Sequence, residues 1–406
     1  MSSYNHPYRQ ETAGIIRYSC GILFMLFSFC YLYFLRGEIL AEAQFVYSKG
    51  VTTYNVLIGA IIITVILQIV QWVVSKLSSL PSRWHALSYV PSMLMLTILT
   101  DVNRTTIDHF SFGDWLWVAP VVLVVYVLLV LIVKRWGHGN KDEMYDVKSL
   151  AYPNYIILFL LILMAGSVPQ STDVYHFELK AERLILEKDY KGASEVGERS
   201  LFTSARLTHL RMYALSKQGL LAERLFEYPQ YYGSKGLLDI ADTLSTYRLT
   251  TQDICFHLGA LCGKSIHDAN RYYQLMLGDS IWNRYTADYY LCGLLLDNQL
   301  SEFRQQLPLY YNLSDSVEGA YDLLPKAYRE ALLVMGNQRK AEEGKIFYGQ
   351  DSITTLTDVE MIDRYRDYLG MKARLKDPTE RINRTRREFG KTYWWYHDYG
   401  HTVKVN

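Results

Sequence analysis

Apolar residues fall along this chain in two regimes. Through the first 170 residues or so they come in long runs almost free of charge; beyond that they recur at helical spacing between glycines and short polar turns. A helix needs about 20 predominantly apolar residues to cross a bilayer. Five runs approach that length, near residues 15–35, 55–74, 84–100, 115–134 and 151–168. The third is the shortest and is broken by Pro91. The last, YIILFLLILMAGSV from Tyr155, runs into Pro169, and no comparable run follows it. Trp72, Trp84, Trp115, Trp117, Trp136, Tyr152 and Tyr155 stand at run ends, where amphipathic rings mark the lipid–water boundary. The pattern predicts a transmembrane domain over 1–170, a bundle of about five helices, and a second domain over 171–406.

Loop charge then orients the chain. With five crossings, the N-terminal tail and the second and fourth connections share one side and carry Arg9, Arg17, Lys76, Arg83, Lys134, Arg135, Lys141 and Lys148. The other side carries Arg36, Lys49 and Arg104. Basic loops stay in the cytoplasm, so the N-terminus is expected there and the C-terminal domain outside it, in a multi-pass inner-membrane protein. If the third run did not cross, this bias would vanish.

From Asp173 the periodicity predicts short helices in antiparallel pairs: 174–188 with 193–201, 207–218 with 220–227, 254–262 with 267–277, and 287–296 with 300–307. Gly219, Gly263 and Gly278 read as helix stops, and Asp297-Asn298 as a tight connection. Repeated helix hairpins of this size are the mark of an α-solenoid. The stretch LKAERLILEKDYKGASEV from Leu179 resembles one tetratricopeptide unit, with Ala181 and Ala193 where that family places the small residues that let two helices approach. The expected fold class is all-α, membrane helices followed by tetratricopeptide-like hairpins.

Charge adds little: 42 Lys and Arg against 41 Asp and Glu leave a net +1, with no basic footprint for nucleic acid. Cysteine adds a constraint. Cys255 and Cys262 fall seven apart on one expected helix, roughly 10 Å in rise alone, which places them beyond disulfide reach. With Cys292 the odd third, no disulfide framework is expected.

No phosphate loop, nucleophile elbow or zinc-protease motif is present. His397 and His401 have helical metal spacing, but Gly400 between them argues against a continuous helix, and neither metal nor cofactor is expected. Two acidic groups share the non-cytoplasmic side: Glu38 and Glu42 after the first run, and Asp101 and Asp108 between the third and fourth. Acids so placed suit the activation of an acceptor on a lipid-linked substrate, as in glycosyltransferases. They equally suit a solvated loop. At the other end, Asp377-Pro378 reads as a helix start. Arg384 and Arg387 follow, then Trp394 and Trp395, a pairing of cations and rings that suits contact with a membrane surface. The competing expectation is a cap closing the last repeat, with one of the two tryptophans left exposed because neighbours on a helix diverge by about 100°.

The whole chain resembles a bacterial family of unknown function common in the Bacteroides group. The resemblance rests on EILAEAQF from Glu38, LPKAYREALLV from Leu324 and KTYWWYHDY from Lys391. It implies a membrane domain followed by a helical, tetratricopeptide-like half, and supplies no catalytic residues. The expected role is a non-enzymatic envelope adaptor, with the lipid bilayer and an envelope protein or peptide as partners. The alternative is a membrane enzyme working through Glu38, Glu42, Asp101 and Asp108.

Overall fold

The computed structural model describes residues 5–102, 113–137, 147–167, 173–237, 248–249, 251–259, 269–278, 283–313, 323–342 and 358–400. The described residues form helices joined by turns, with no strand among them, and divide into two compact units, Met1–Leu179 and Lys180–Asn406.

In the first unit, α1 (Asn5–Cys30) continues through a π-helical turn (Tyr31–Leu35) into α2 (Gly37–Tyr47). Then come α3 (Val56–Ser78), a 3-10 segment (Ser82–Tyr89), α4 (Val90–Thr100), α5 (Trp115–Gly137) and α6 (Val147–Ser167). Four stretches are long and apolar enough to cross a membrane: Ala13–Leu35, Val56–Ser78, Trp115–Arg135 and Val147–Ser167. Their outer faces carry large apolar side chains at about half exposure, such as Ile61, Val65, Ile69, Val124, Leu128, Phe159 and Leu163. Water would not tolerate so continuous a surface, but hydrocarbon does. Caps fix the ends of α3: Asn55 accepts from the Ile58 N–H at 3.1 Å, and Ser79 closes it in the left-handed conformation.

The third run departs from expectation. Instead of one α-helix over 84–100 it forms eight residues of 3-10 helix, irregular at Trp84, and then eleven of α-helix. Pro91 is the cause. It has no N–H to offer the carbonyl four residues back, so the α-helix starts afresh around it and the chain upstream tightens. Neighbouring helices enclose the segment, with Ser88, Ser92, Met93, Leu96 and Thr100 fully buried. Asn154 of α6 holds its entrance. Its carboxamide oxygen accepts from the Ala86 N–H at 2.7 Å, and its nitrogen donates to the Ser82 carbonyl at 2.9 Å. Irregular backbone enclosed among apolar helices needs partners of that kind.

The second unit is built around two helices buried on all sides. One is α9 (Ala205–Lys217), following α7 (Asp173–Leu186) and α8 (Tyr190–Glu195); the division between the units falls inside α7. Ser204 caps α9 by accepting from the Leu207 N–H, and Gly219, at φ +70°, turns the chain into α10 (Leu221–Arg224). Next come α11 (Thr251–His257), α12 (Ala269–Gly278) and the second buried helix, α13 (Arg284–Leu296). Asn283 caps α13, and Asn298, in the left-handed conformation, turns the chain into α14 (Leu300–Tyr310). The unit ends with α15 (Lys326–Glu342), α16 (Val359–Arg374), α17 (Pro378–Phe389) and α18 (Tyr393–Tyr399). As the Asp377-Pro378 pair predicts, Asp377 caps α17.

Two arginines inside α9 have partners. Arg206 lies 3.5 Å from Glu182 and donates to the Leu249 carbonyl at 2.6 Å; Arg211 donates twice to the Val196 carbonyl. Burial raises the Glu182 carboxyl to about 7, although Arg206 and the Leu249 N–H pull it down.

The cysteine expectation is corrected. Cys255 is disulfide-bonded, while Cys20, Cys30 and Cys292 are free. The expected spacing assumed one helix through both positions. Instead α11 stops at His257, Gly259 sits at φ +94°, and a chain that turns can bring back what a helix would hold apart.

Candidate binding groove

The C-terminal helix α18 is short, and its place is set by contacts at both ends. Its first N–H, on Tyr393, donates to Glu330 of α15 at 2.6 Å. Further along, the Tyr396 hydroxyl donates to the Leu296 carbonyl at 2.7 Å. Between these, Phe226 packs against the rings of Tyr393 and Tyr396 at 5.3 and 5.0 Å, and Trp394 against Tyr365 at 5.2 Å. Aromatic pairs at such distances contribute beyond their buried area.

This packing leaves a groove of about 260 Å³ between α18, the start of the 226–231 stretch, the end of α17 and the loop at 198–201. Phe226, Trp395 and Tyr396 give it an aromatic wall. Arg386 lies over the Trp395 ring at 5.5 Å and donates to the Tyr231 hydroxyl at 3.0 Å, so its guanidinium is held in place. Tyr231 donates in turn to the Leu201 carbonyl at 3.2 Å. At the rim, Lys391 pairs with Glu198 at 3.6 Å, and Glu227 with Arg224 at 2.6 Å. With those pairs set aside, Arg364, Arg386 and Arg387 remain among the lining charges against Glu388 alone.

Two carboxyl groups behind the groove have opposite tendencies. Burial raises Glu330 to about 7, against the pull of Lys326, the Tyr393 N–H, Arg364 and Arg329. Burial would raise Asp398 too, but hydrogen bonds from His397, Lys372 and Tyr368 hold it down at about 2. Asp398 therefore ties α18 to α16 as a charged group: Lys372 donates to it at 2.6 Å, and the Tyr368 hydroxyl donates to the same oxygen.

The sequence-derived candidates lie on several elements. Glu42 is buried on α2 and Glu38 half-buried; Asp101 accepts from the Trp115 indole at 2.7 Å; Asp108 lies outside the described residues. No group of three or more His, Cys, Asp or Glu side chains able to hold a metal occurs among the described residues. His397 faces Asp398 and Gln338, and His401 is outside the described residues. Arg384 is exposed and paired with Glu380 at 2.8 Å; Arg387 is exposed and lines the groove. Trp394 and Trp395 are both buried, at 2% and 6% exposure, so the expected exposed tryptophan is absent. Packing encloses α18 on more than one side: Trp394 faces α16, while Trp395 faces Arg386 and Tyr399. The sequence reading missed Phe226, Tyr231 and Arg386 as a set. The dense FEYPQYY run, with its helix-ending proline, was the one local sign of them.

These features define an all-helical protein with four apolar helices of membrane-crossing length. The profile of a family of unknown function, DUF6057, matches residues 109–263 and 263–400. That is more than two-thirds of the chain, which belongs to this family. Neither a curated protein nor a solved structure matches it.

Proposed function

We propose that this chain is a multi-pass inner-membrane protein that displays its helical C-terminal half outside the cytoplasm as a non-enzymatic adaptor, binding a peptide segment of an envelope protein. The groove carries the reading. Tyrosine, tryptophan and arginine around a concave, partly desolvated surface are the residues that dominate peptide and protein recognition. Among the enzyme candidates, Asp101 is engaged by Trp115, and Glu42 is enclosed within its own unit.

Five crossings underlie the topology, and the geometry of the third segment supports them. Its contacts climb as those on α3 descend: His85 lies 3.5 Å from Ser75, Ser88 accepts from Gln71 at 2.9 Å, and Ser92 donates to the Leu67 carbonyl at 2.9 Å. The two therefore run antiparallel, which brings Thr100 to about the level of Ala60 near the start of α3. Measured along α3, from the level of Ser78 to that of Ala60, the segment spans about 27 Å, close to a hydrocarbon core of about 30 Å. Positive-inside charge then places the C-terminal half outside the cytoplasm. The Cys255 disulfide fits an oxidising compartment. For the tetratricopeptide-like reading, support comes from the α9–α10 and α13–α14 hairpins and from Ala181 and Ala193, both fully buried.

Two measurements test this. Cysteines placed at the exposed positions Ser79 and Asp114 should label from opposite sides of the membrane; labelling from one side removes the third crossing. A photo-crosslinker at Leu201, on the groove rim, should capture an envelope partner that one at exposed Leu309 does not. Equal capture at both positions would refute the groove.

A further inference from the structure

The adaptor reading leaves open what kind of segment the groove takes, and its charges answer that. Each acid at the rim but one already has a cation: Glu198 has Lys391, and Glu227 has Arg224. The cations exceed the acids. Arg364 and Arg387 are exposed, and no side-chain ion pair engages either among the described residues. Arg386 is fixed between the Tyr231 hydroxyl and the Trp395 ring, so its remaining N–H groups point from a preorganised frame. Three guanidinium groups thus line a small concavity whose one unneutralised acid is Glu388. Guanidinium groups are planar forks with donors only, so what they need from a ligand is acceptors, best supplied as carboxylates. The aromatic wall beside them is mostly covered by the fold, at 5–6% exposure, and offers a narrow apolar strip.

Resting on the adaptor reading, we infer that the groove selects an acidic peptide segment: one or two carboxylates held by Arg386, Arg387 and Arg364, with a neighbouring apolar side chain against Phe226, Trp395 and Tyr396. Charge complementarity singles out this occupant. A neutral helix or strand would leave the guanidinium groups facing nothing, and a basic one would be repelled. Arg386 positions the peptide, while Arg387 and Arg364 at the open edge draw it in, so association weakens with salt.

The test uses the full chain in detergent and three fluorescent peptides of equal length. One alternates Glu with Leu, the second replaces Glu by Gln, and the third replaces Glu by Lys. The Glu peptide should bind at least tenfold more tightly than the Gln peptide, and the Lys peptide should not bind. Arg387→Gln and Arg386→Gln should each weaken the Glu peptide about tenfold. Arg384→Gln, on the same helix but paired with Glu380 and outside the groove, should leave binding unchanged. Thermal melting of each variant separates loss of fold from loss of ligand; Arg387 is exposed, so its replacement leaves the fold intact. Equal binding of the Glu and Gln peptides, sensitive to Phe226→Ala, would overturn the charge selection and leave the adaptor reading standing. No binding by any peptide would overturn both. Displacement of the Glu peptide by millimolar inorganic phosphate but not by millimolar acetate would assign the guanidinium groups to a phosphate-bearing ligand and overturn the carboxylate assignment.

Discussion

Replacing Glu330 by Gln should make the protein more stable at pH 8 and change it little at pH 5. Glu330 is 1% exposed, and its carboxylate oxygen takes the first N–H of α18 at 2.6 Å. Burial raises its pKa from about 4.5 to about 7, despite Lys326, the Tyr393 N–H, Arg364 and Arg329. A carboxyl whose folded pKa lies above its unfolded value binds its proton more tightly when folded. Its stabilising contribution is thus complete below about 4.5 and is lost as pH rises through about 7. That gap corresponds to about 3 kcal/mol at full ionisation. For a unit of this size, the wild type should melt roughly 6–12 °C lower at pH 8 than the variant. Glutamine keeps the acceptor for the Tyr393 N–H and cannot ionise, so the variant loses this dependence. Glu182 shifts in the same direction but is common to both proteins and cancels in the comparison. Glu330→Ala removes the acceptor as well, orphans a buried N–H, and should cost about 2–4 kcal/mol relative to the Gln variant at both pH values. The assay is thermal melting at pH 5, 6, 7 and 8, with hydrogen exchange followed across Tyr393–Tyr399. A Gln variant that is less stable than wild type at pH 8 would refute the argument. Glu330 would then be a charged partner of Arg329 and Arg364 rather than a neutral acceptor.

Other expected outcomes rest on different contacts. Asn154→Leu should destabilise the first unit by about 2–4 kcal/mol, read from unfolding in mixed micelles, because the Ala86 N–H and the Ser82 carbonyl both lose their partner. Trp394→Ala should cost about 3–5 kcal/mol by thermal or denaturant unfolding, since the ring is 2% exposed and packs on Tyr365 and Tyr368. Asp398, held at about 2 against an ordinary 3.8, contributes stability above about pH 4 that is lost as pH falls through about 2. Asp398→Asn should therefore flatten the acid limb of the stability profile, and an unchanged acid transition would count against the Lys372 and Tyr368 contacts.

Much of the architecture was legible locally. Runs of uncharged apolar residues predicted the four long apolar helices, because length and composition alone decide whether a helix suits hydrocarbon. Gly219, Asn298 and the Asp377-Pro378 pair marked helix ends that the structure places within a residue or two, because caps and left-handed turns depend on nearest neighbours.

Tertiary structure decided the rest. Pro91 announced a break, but a 3-10 segment persists there because Asn154, nearly seventy residues away, satisfies the backbone it leaves open. The disulfide at Cys255 depended on where α11 stops, and the burial of both Trp394 and Trp395 on what surrounds α18. The groove joins residues from 198 to 400, and no spacing rule links Phe226 or Tyr231 to Arg386. Local signals reach only as far as a helical turn or a cap. The positions of side chains remote in sequence are fixed by which buried surfaces and polar groups can be satisfied together, a condition met only by the folded chain.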